Sequence, residues 1–252
     1  MKKLGLIGYP LKHSFSKEYF SKKFEKEGLE DYQYDLFQLE EISQLKQVLI
    51  ENPDLVGLNV TIPYKEQVIP YLYKLEPACQ TIGAVNTIKI EGEKLVGFNT
   101  DYIGFKESLV NWLPGKPIKA LVLGSGGASK AVKKALLDLN IEYLTVSRTA
   151  NKTFHSITYQ DLFVGESILN EYHLIINTTP LGTFPNIEEM PPLPLNFITD
   201  QHKIYDLVYN PEKTFLMKAV EEKGAVTKNG LEMLHLQAEA AWEIWNKTTD
   251  LF

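Results

Sequence analysis

In "GLNVTIPYK", residues 57–65, a lysine stands where a helix gives a cation no help. A strand pattern here turns Asn59 and Thr61 to one face and Leu58, Val60 and Ile62 to the other. Pro63 then stops the ladder and Lys65 falls at the start of the next helix, against the helix dipole. An ammonium held there calls for an anion nearby; an exposed Asn-Thr face is the competing reading, with equal claim. "GAVNTIK" and "GFNTDYIGF" add Asn86, Asn99, Thr100 and Asp101 beside further strands. Asp101 directly precedes a helix, so it can cap that helix, contact a ligand, or both. In "HSFSKEYF", Ser14 and Ser16 are two apart, which lets one hydroxyl cap a helix and leaves the other for a ligand.

A second constellation lies in "LVLGSGGASKA", an apolar strand running into Gly124, Ser125, Gly126, Gly127 and Ala128 at the head of a helix. Glycines in a strand-turn-helix setting let backbone N–H groups approach a pyrophosphate, although a plain tight turn has the same composition. The third glycine follows the second directly, and Ser129 takes its place in the usual G-x-G-x-x-G spacing. About 20 residues past such a turn, NAD-binding folds place an acid on the ribose hydroxyl. Here "LTVS" ends instead in Ser147, Arg148 and Thr149, with Lys152 close behind, and Arg148 is the only arginine among 26 basic residues. A guanidinium, two hydroxyls and an ammonium without a carboxylate suit a 2′-phosphate and predict NADP rather than NAD. The competing reading is a solvated surface arginine.

The elements that must position these groups read as two successive α/β series. "LGLIG" with "SKEYFSKKFEKEG", "YQYDLFQL" with "EEISQLKQVLIEN", and "VGLNVTI" with "YKEQVIPYLYKL" alternate strand and helix. A hairpin then turns at Glu91-Gly92-Glu93. Periodicity breaks at "NWLPGKPIK", after a helix begun near Ile103, and a second series follows: "KALVLG", "ASKAVKKALLDLN", "EYLTVS", "YHLIINTT", "KIYDLVYNP" and "TFLMKAVEEKG". The last helix sets Leu231, Leu234, Ala238, Ala241, Trp242 and Trp245 along one side. A net charge of −6 argues against general attraction to nucleic acid, so an anionic ligand needs locally arranged positive groups. Cys79 has no partner for a disulfide, five scattered histidines give no metal spacing, and no run is long enough for a signal peptide or a membrane span. These features predict a cytoplasmic protein that takes small molecules and no metal.

Taken together, "HSFS", "NVTIPYK", "GAVNT", "NTDYIGF", "GSGGASKA", "SRT", "NTTPLG", "YDLVYNP" and "NGLEMLHLQA" make the chain resemble shikimate dehydrogenase along nearly its whole length. The resemblance implies an α/β fold with a mixed-sheet substrate domain (1–101 plus 230–252) and a Rossmann-like NADP-binding domain (102–229), the active site between them. It implies NADPH-dependent reduction of 3-dehydroshikimate to shikimate on the route to aromatic amino acids, by a monomer or homodimer. Lys65 and Asp101 would be the catalytic pair and Ser14 and Ser16 the ligands of the substrate carboxylate. Thr61, Asn86, Asp101 and Gln237 would hold the ring hydroxyls, with Asn59 beside them and Tyr209 where substrate and cofactor meet. For NADP(H) it implies Gly124, Ser125, Gly126, Gly127 and Ala128 at the pyrophosphate. Ser147, Arg148, Thr149 and Lys152 would meet the 2′-phosphate, with Thr178, Gly230 and Met233 along the rest. Competing readings are a quinate/shikimate dehydrogenase, a catalytically silent NADP-binding protein on the same fold, and a tetrahydrofolate-type dehydrogenase.

Overall fold

The computed structural model describes residues 1–11, 14–113, 115, 118–149, 155–164 and 166–247, apart from the side chains of 166 and 167. The chain divides into two compact units, Met1–Thr100 with Ala238–Phe252, and Asp101–Gln237. The break in periodicity after Trp112 therefore falls inside the second unit.

The first unit runs β1 (Lys2–Gly8), α1 (Phe15–Glu27), β2 (Tyr32–Gln38), α2 (Leu45–Glu51), β3 (Leu55–Val60), α3 (Tyr64–Gln67), β4 (Lys74–Leu75), α4 (Pro77–Ile82), β5 (Thr87–Glu91) and β6 (Lys94–Phe98). Its sheet is ordered β2-β1-β3-β5-β6-β4. Strands β2, β1 and β3 are parallel, β5 is antiparallel to both β3 and β6, and β4 is parallel to β6. The C-terminal ends of β1, β2, β3 and β6 thus share one edge with the start of β5. Alternation along the strands builds a core on each face: Ile7, Leu58, Val60 and Ile88 lie in one, Leu4, Leu6, Phe20 and Tyr34 in the other. Gly28 ends α1 at φ 65°, and Gly92 turns the hairpin at φ 60°, the region glycine enters without strain.

The helix expected over "YKEQVIPYLYKL" is cut short. Helix α3 stops at Gln67, and Pro70, which has no N–H for the preceding carbonyl, lies in a 3-10 turn, Ile69–Tyr71, that leads into β4. Strand β3 likewise ends at Val60. The Thr61 carbonyl accepts from Tyr64 N in a turn, and Ile62 is exposed instead of following Leu58 and Val60 into the core. Helix α4 is too short for periodicity to disclose; it is marked by Glu76 accepting from Cys79 N and by Gly83 at φ 67°.

The second unit runs α5 (Thr100–Trp112, from its second residue), β7 (Ala120–Leu123), α6 (Gly127–Asp138), β8 (Tyr143–Ser147), β9 (Ser156–Thr158), α7 (Tyr159–Val164), α8 (Glu166–Glu171), β10 (Leu174–Asn177), β11 (Lys203–Asp206), α9 (Phe215–Glu221), β12 (Val226–Asn229) and the first half of α10 (Leu231–Asn246). Its strands are all parallel, in the order β12-β11-β10-β7-β8-β9. Counted within the unit, that is 3-2-1-4-5-6 read from the far edge, the doubly wound order of dinucleotide-binding sheets, with a switch point between β7 and β10. The strands are buried runs such as Ala120–Leu123 and Leu174–Asn177, as a sheet covered on both faces requires.

Within this unit α5 and α10 run antiparallel in backbone contact. A Cβ on Gly104 would come within 2.5 Å of the Met233 carbonyl oxygen and 2.8 Å of Gln237 N, so only glycine allows this approach. The second half of α10 belongs to the first unit, where Ala238, Ala241 and Trp245 complete the core around Leu4, Phe20 and Tyr34. Leu231, expected on the apolar side, is exposed; Met233 takes that place in the second unit's core.

Candidate active site

In the first unit the sequence-derived polar residues gather at the C-terminal edge of the sheet. Ser14 caps α1, its Oγ accepting from Lys17 N at 3.2 Å, and Ser16 stands in the first turn. Asn59, on β3, is buried: its Oδ1 accepts from the Tyr34 hydroxyl at 2.7 Å, and its Nδ2 donates to the Asn86 carbonyl and Thr87 Oγ1, both at 3.3 Å. Its amide therefore organises neighbours. Burial pushes the Tyr34 phenol well above its usual range, so it stays a donor, and Ser16 hydrogen-bonds to it. Thr61 leaves β3 with its methyl over Gly8, where an added Cβ would meet it at 2.4 Å. Lys65, second in α3 and half-buried, fixes the next segment through its carbonyl, which accepts from Val85 N at 2.7 Å.

Asn86 precedes β5. Its Oδ1 accepts from Thr100 N at 2.6 Å, and its Nδ2 donates to Thr100 Oγ1 at 3.0 Å. This caps the start of α5 from the sheet and fixes the residue to which Asp101 is joined. In the second unit, Ser108 and Asn111 of α5 donate to Glu232, while Gly104 abuts Met233 and Gln237. The first turn of α5, carrying Asp101, therefore lies at the Gln237 end of this helix pair. Gln237 is buried and donates from Nε2 to the Leu234 carbonyl. Tyr209 lies on the loop after β11, with its phenol raised by burial.

Of the cofactor candidates, the glycine turn after β7 and Thr178 after β10 lie at the switch point of the parallel sheet. Gly124 leaves β7 at φ 106°, and a Cβ there would come 2.8 Å from Thr178 Oγ1, so the glycine turn abuts the loop after β10. Thr178 donates its hydroxyl to the Leu123 carbonyl at 2.6 Å, which ties that loop to β7. Gly126 and Gly127 differ from Gly124: neither has positive φ, and a Cβ on either would meet nothing within 4 Å. Fold and packing leave these two positions open to any residue, so what their missing side chains provide is access to backbone N–H groups at the start of α6. That bare cradle fits a pyrophosphate. Ala128 follows in the same turn, while Ser129 is fully buried, its Oγ without a hydrogen-bond partner.

Arg148 and Thr149 are exposed at the end of β8. Ser147 gives its proton to the Thr149 carbonyl at 2.7 Å, closing the turn that presents the guanidinium. Lys152 lies outside the described residues. Gly230 heads α10 where a Cβ would strike the Leu207 carbonyl oxygen at 2.1 Å, and Met233 is buried beneath it. Sequence reasoning missed the groups that hold these loops: Tyr34, Thr87, Asn177, Thr179 and Asp206. The one available signal was polar residues at the C-terminal ends of strands, as in "IINTT" and "IYDL". Among the described residues no cluster of His, Cys, Asp and Glu could hold a metal, and no helix is long and apolar enough to cross a membrane.

Comparison with known proteins bears on both units. Residues 6–88 match the family model of the shikimate dehydrogenase substrate binding domain. A shikimate dehydrogenase (NADP(+)) of Methanosphaera stadtmanae is 35% identical, covering 97% of this chain and 91% of its own, and one of Caldicellulosiruptor saccharolyticus is 38% identical, covering 97% and 92%. Among solved structures, a chorismate mutase/shikimate 5-dehydrogenase fusion protein from Clostridium acetobutylicum superposes with a TM-score of 0.87 at 38% identity, covering 98% of this chain and 91% of that one. A shikimate 5-dehydrogenase of Thermus thermophilus, solved with NADP(H) and shikimate, gives 0.84 at 30% identity, covering 98% and 94%. With identity of this order sustained over both the mixed and the parallel sheet, the chain belongs to the shikimate dehydrogenase family.

Proposed function

We propose that this protein catalyses the reversible, NADP-dependent interconversion of 3-dehydroshikimate and shikimate, as a cytoplasmic enzyme of aromatic precursor synthesis. Family membership across the full chain carries the reading, and the bare glycine cradle followed by Arg148 supports NADP as the cofactor. The first unit binds the cyclic acid and the second binds the cofactor. Gly126 and Gly127 hold the pyrophosphate and Arg148, with Thr149, the 2′-phosphate.

Bound NADPH supplies a hydride to the ketone carbon. The chain must then manage the charge that develops on the ketone oxygen, and Lys65 meets that need as a cation and proton donor on the edge that also carries Thr61 and Asn86. Delivering the proton from the Lys65 ammonium gives the alcohol and leaves an amine that solvent reprotonates. Asp101, at the head of α5, is the second member of the proposed catalytic pair, a carboxylate suited to accept a hydrogen bond from a ring hydroxyl. Ser14 and Ser16 receive the carboxylate. The Ser14 Oγ already accepts the cap bond from Lys17 N, which leaves its own proton to donate.

The test is spectrophotometric: shikimate and NADP are mixed with the purified protein and the absorbance of the reduced nicotinamide is followed. Rapid reduction with NADP and slower reduction with NAD is the expected result; no reduction with shikimate overturns the reading. Quinate belongs in the same assay, because it separates a strict shikimate enzyme from a broader one by kcat/KM. NAD does too, since a Listeria monocytogenes relative, 30% identical, was solved with shikimate and NAD.

A further inference from the structure

The parallel sheet comprises two mononucleotide-binding halves, β7–β9 and β10–β12, that meet at the switch point. The glycine turn and Arg148 both belong to the first half. At the C-terminal edge of the second half is a knot of buried hydrogen bonds centred on Asp206, the last residue of β11, which is fully buried. Its Oδ1 accepts from Asn177 Nδ2 at 2.9 Å and from Val208 N at 3.1 Å; its Oδ2 accepts from the Thr214 hydroxyl at 2.6 Å. Asn177 passes the constraint on, since its Oδ1 accepts from Thr179 N at 3.0 Å and from the Thr179 hydroxyl at 2.7 Å. Thr179 and Thr178 are the residues against which Gly124 packs, at 3.1 and 2.8 Å from the position its Cβ would take.

Three groups thus converge on one side chain, two N–H donors at Oδ1 and the Thr214 hydroxyl at Oδ2, and a carboxylate accepts from all of them at once. A buried carboxylate is a costly way to stabilise a fold that apolar packing could stabilise instead. What the carboxylate adds is a defined backbone path for two loops at once, 178–181 after β10 and 207–209 after β11. We propose that Asp206 is a positioning residue for the nicotinamide half of the cofactor, setting the far wall of the switch-point crevice through Asn177, Thr179 and Val208 without touching the ligand. This inference rests on the NADP-dependent reading above.

The two-half construction of the sheet supplies a discriminating probe. Adenosine 2′,5′-bisphosphate carries the 2′-phosphate and adenosine of NADP but no nicotinamide, and so reports on the first half alone. Calorimetric titration of the whole wild-type protein and of Asp206→Asn with each ligand reads the difference. An amide at 206 that keeps its oxygen on Asn177 and Val208 turns its NH2 toward Thr214 Oγ1, which already accepts from Met217 N, so the Thr214 proton loses its acceptor and the knot must rearrange. NADP should then bind at least about tenfold more weakly, the scale of a misplaced binding wall. Binding of the bisphosphate should not change. Equal weakening of both ligands, as general loosening of the unit would give, overturns the inference, and so does unchanged NADP affinity. Wild-type protein that binds neither ligand overturns the reading beneath it instead. If Asp206→Asn does not fold, Asn177→Leu, which cuts the link from Asp206 to Thr179 and keeps the bulk, must show the same split between the two ligands.

Discussion

Lys65 and the glycine pair act by opposite physical routes, and substitution separates them. Removing the Lys65 ammonium should lower kcat by roughly 10²–10⁴-fold, the usual weight of a general acid, with NADP affinity unchanged; steady-state kinetics and a binding titration on Lys65→Ala check this. Gly126→Ala should do the reverse. Its new Cβ meets no protein atom, so the melting temperature should hold or rise slightly, while NADP binding weakens because the methyl fills the cradle. A fall in melting temperature with NADP binding intact would assign that glycine to the fold instead. At this scale the sequence singled out candidates for meeting a ligand, because lysine, a lone arginine and clustered glycines stand out by type. It did not disclose their supports: Asn59 looks like a ligand residue in sequence, yet its hydrogen bonds go to Tyr34, Asn86 and Thr87. Long-range partners of that kind leave no periodic trace.

Among the elements, strands and long helices were legible because burial imposes a period of two or 3.6 residues. The short pieces β4, β9, β12 and α4 were not, since two to six residues carry too little pattern. Close approaches of elements were equally hidden. On β3, a Cβ at Gly57 would lie 2.2 Å from the Trp245 indole, which donates from Nε1 to the Ile88 carbonyl at 3.0 Å. Gly57→Ala should therefore destabilise the protein by about 3 kcal/mol, the upper end of overpacking, measured by denaturant unfolding with tryptophan fluorescence. His202, just before β11, gives a pH prediction. Its Nδ1 accepts from Thr199 N at 3.0 Å and its Nε2 faces the Leu169 carbonyl at 3.0 Å, which defines a neutral ring that donates from Nε2. Burial, opposed by the backbone hydrogen bonds and helped by His173, lowers its pKa. The unfolded chain then takes up a proton at a higher pH than the native one, so stability should be constant above about pH 6.5 and decline as pH falls below it. Melting curves across that range should show the decline, and His202→Gln should flatten it.

For the whole molecule, a net charge of −6 means that an anionic cofactor is attracted only by local groups. NADP affinity should accordingly fall with added salt, and Arg148→Gln should reduce the slope of that dependence. Periodicity marks two α/β series in the sequence but not which of them receives the last helix; the family resemblance implied its return to the first, and contact between distant segments puts the division within that helix, at Gln237/Ala238. The first unit is discontinuous: residues 1–100 share one core with Ala238, Ala241 and Trp245. During synthesis the ribosome delivers those last side chains only after all of the parallel sheet has emerged. Phe20 and Tyr34, among the first residues made, therefore wait for their cover until the chain is almost complete, an opening for chaperones on the nascent chain.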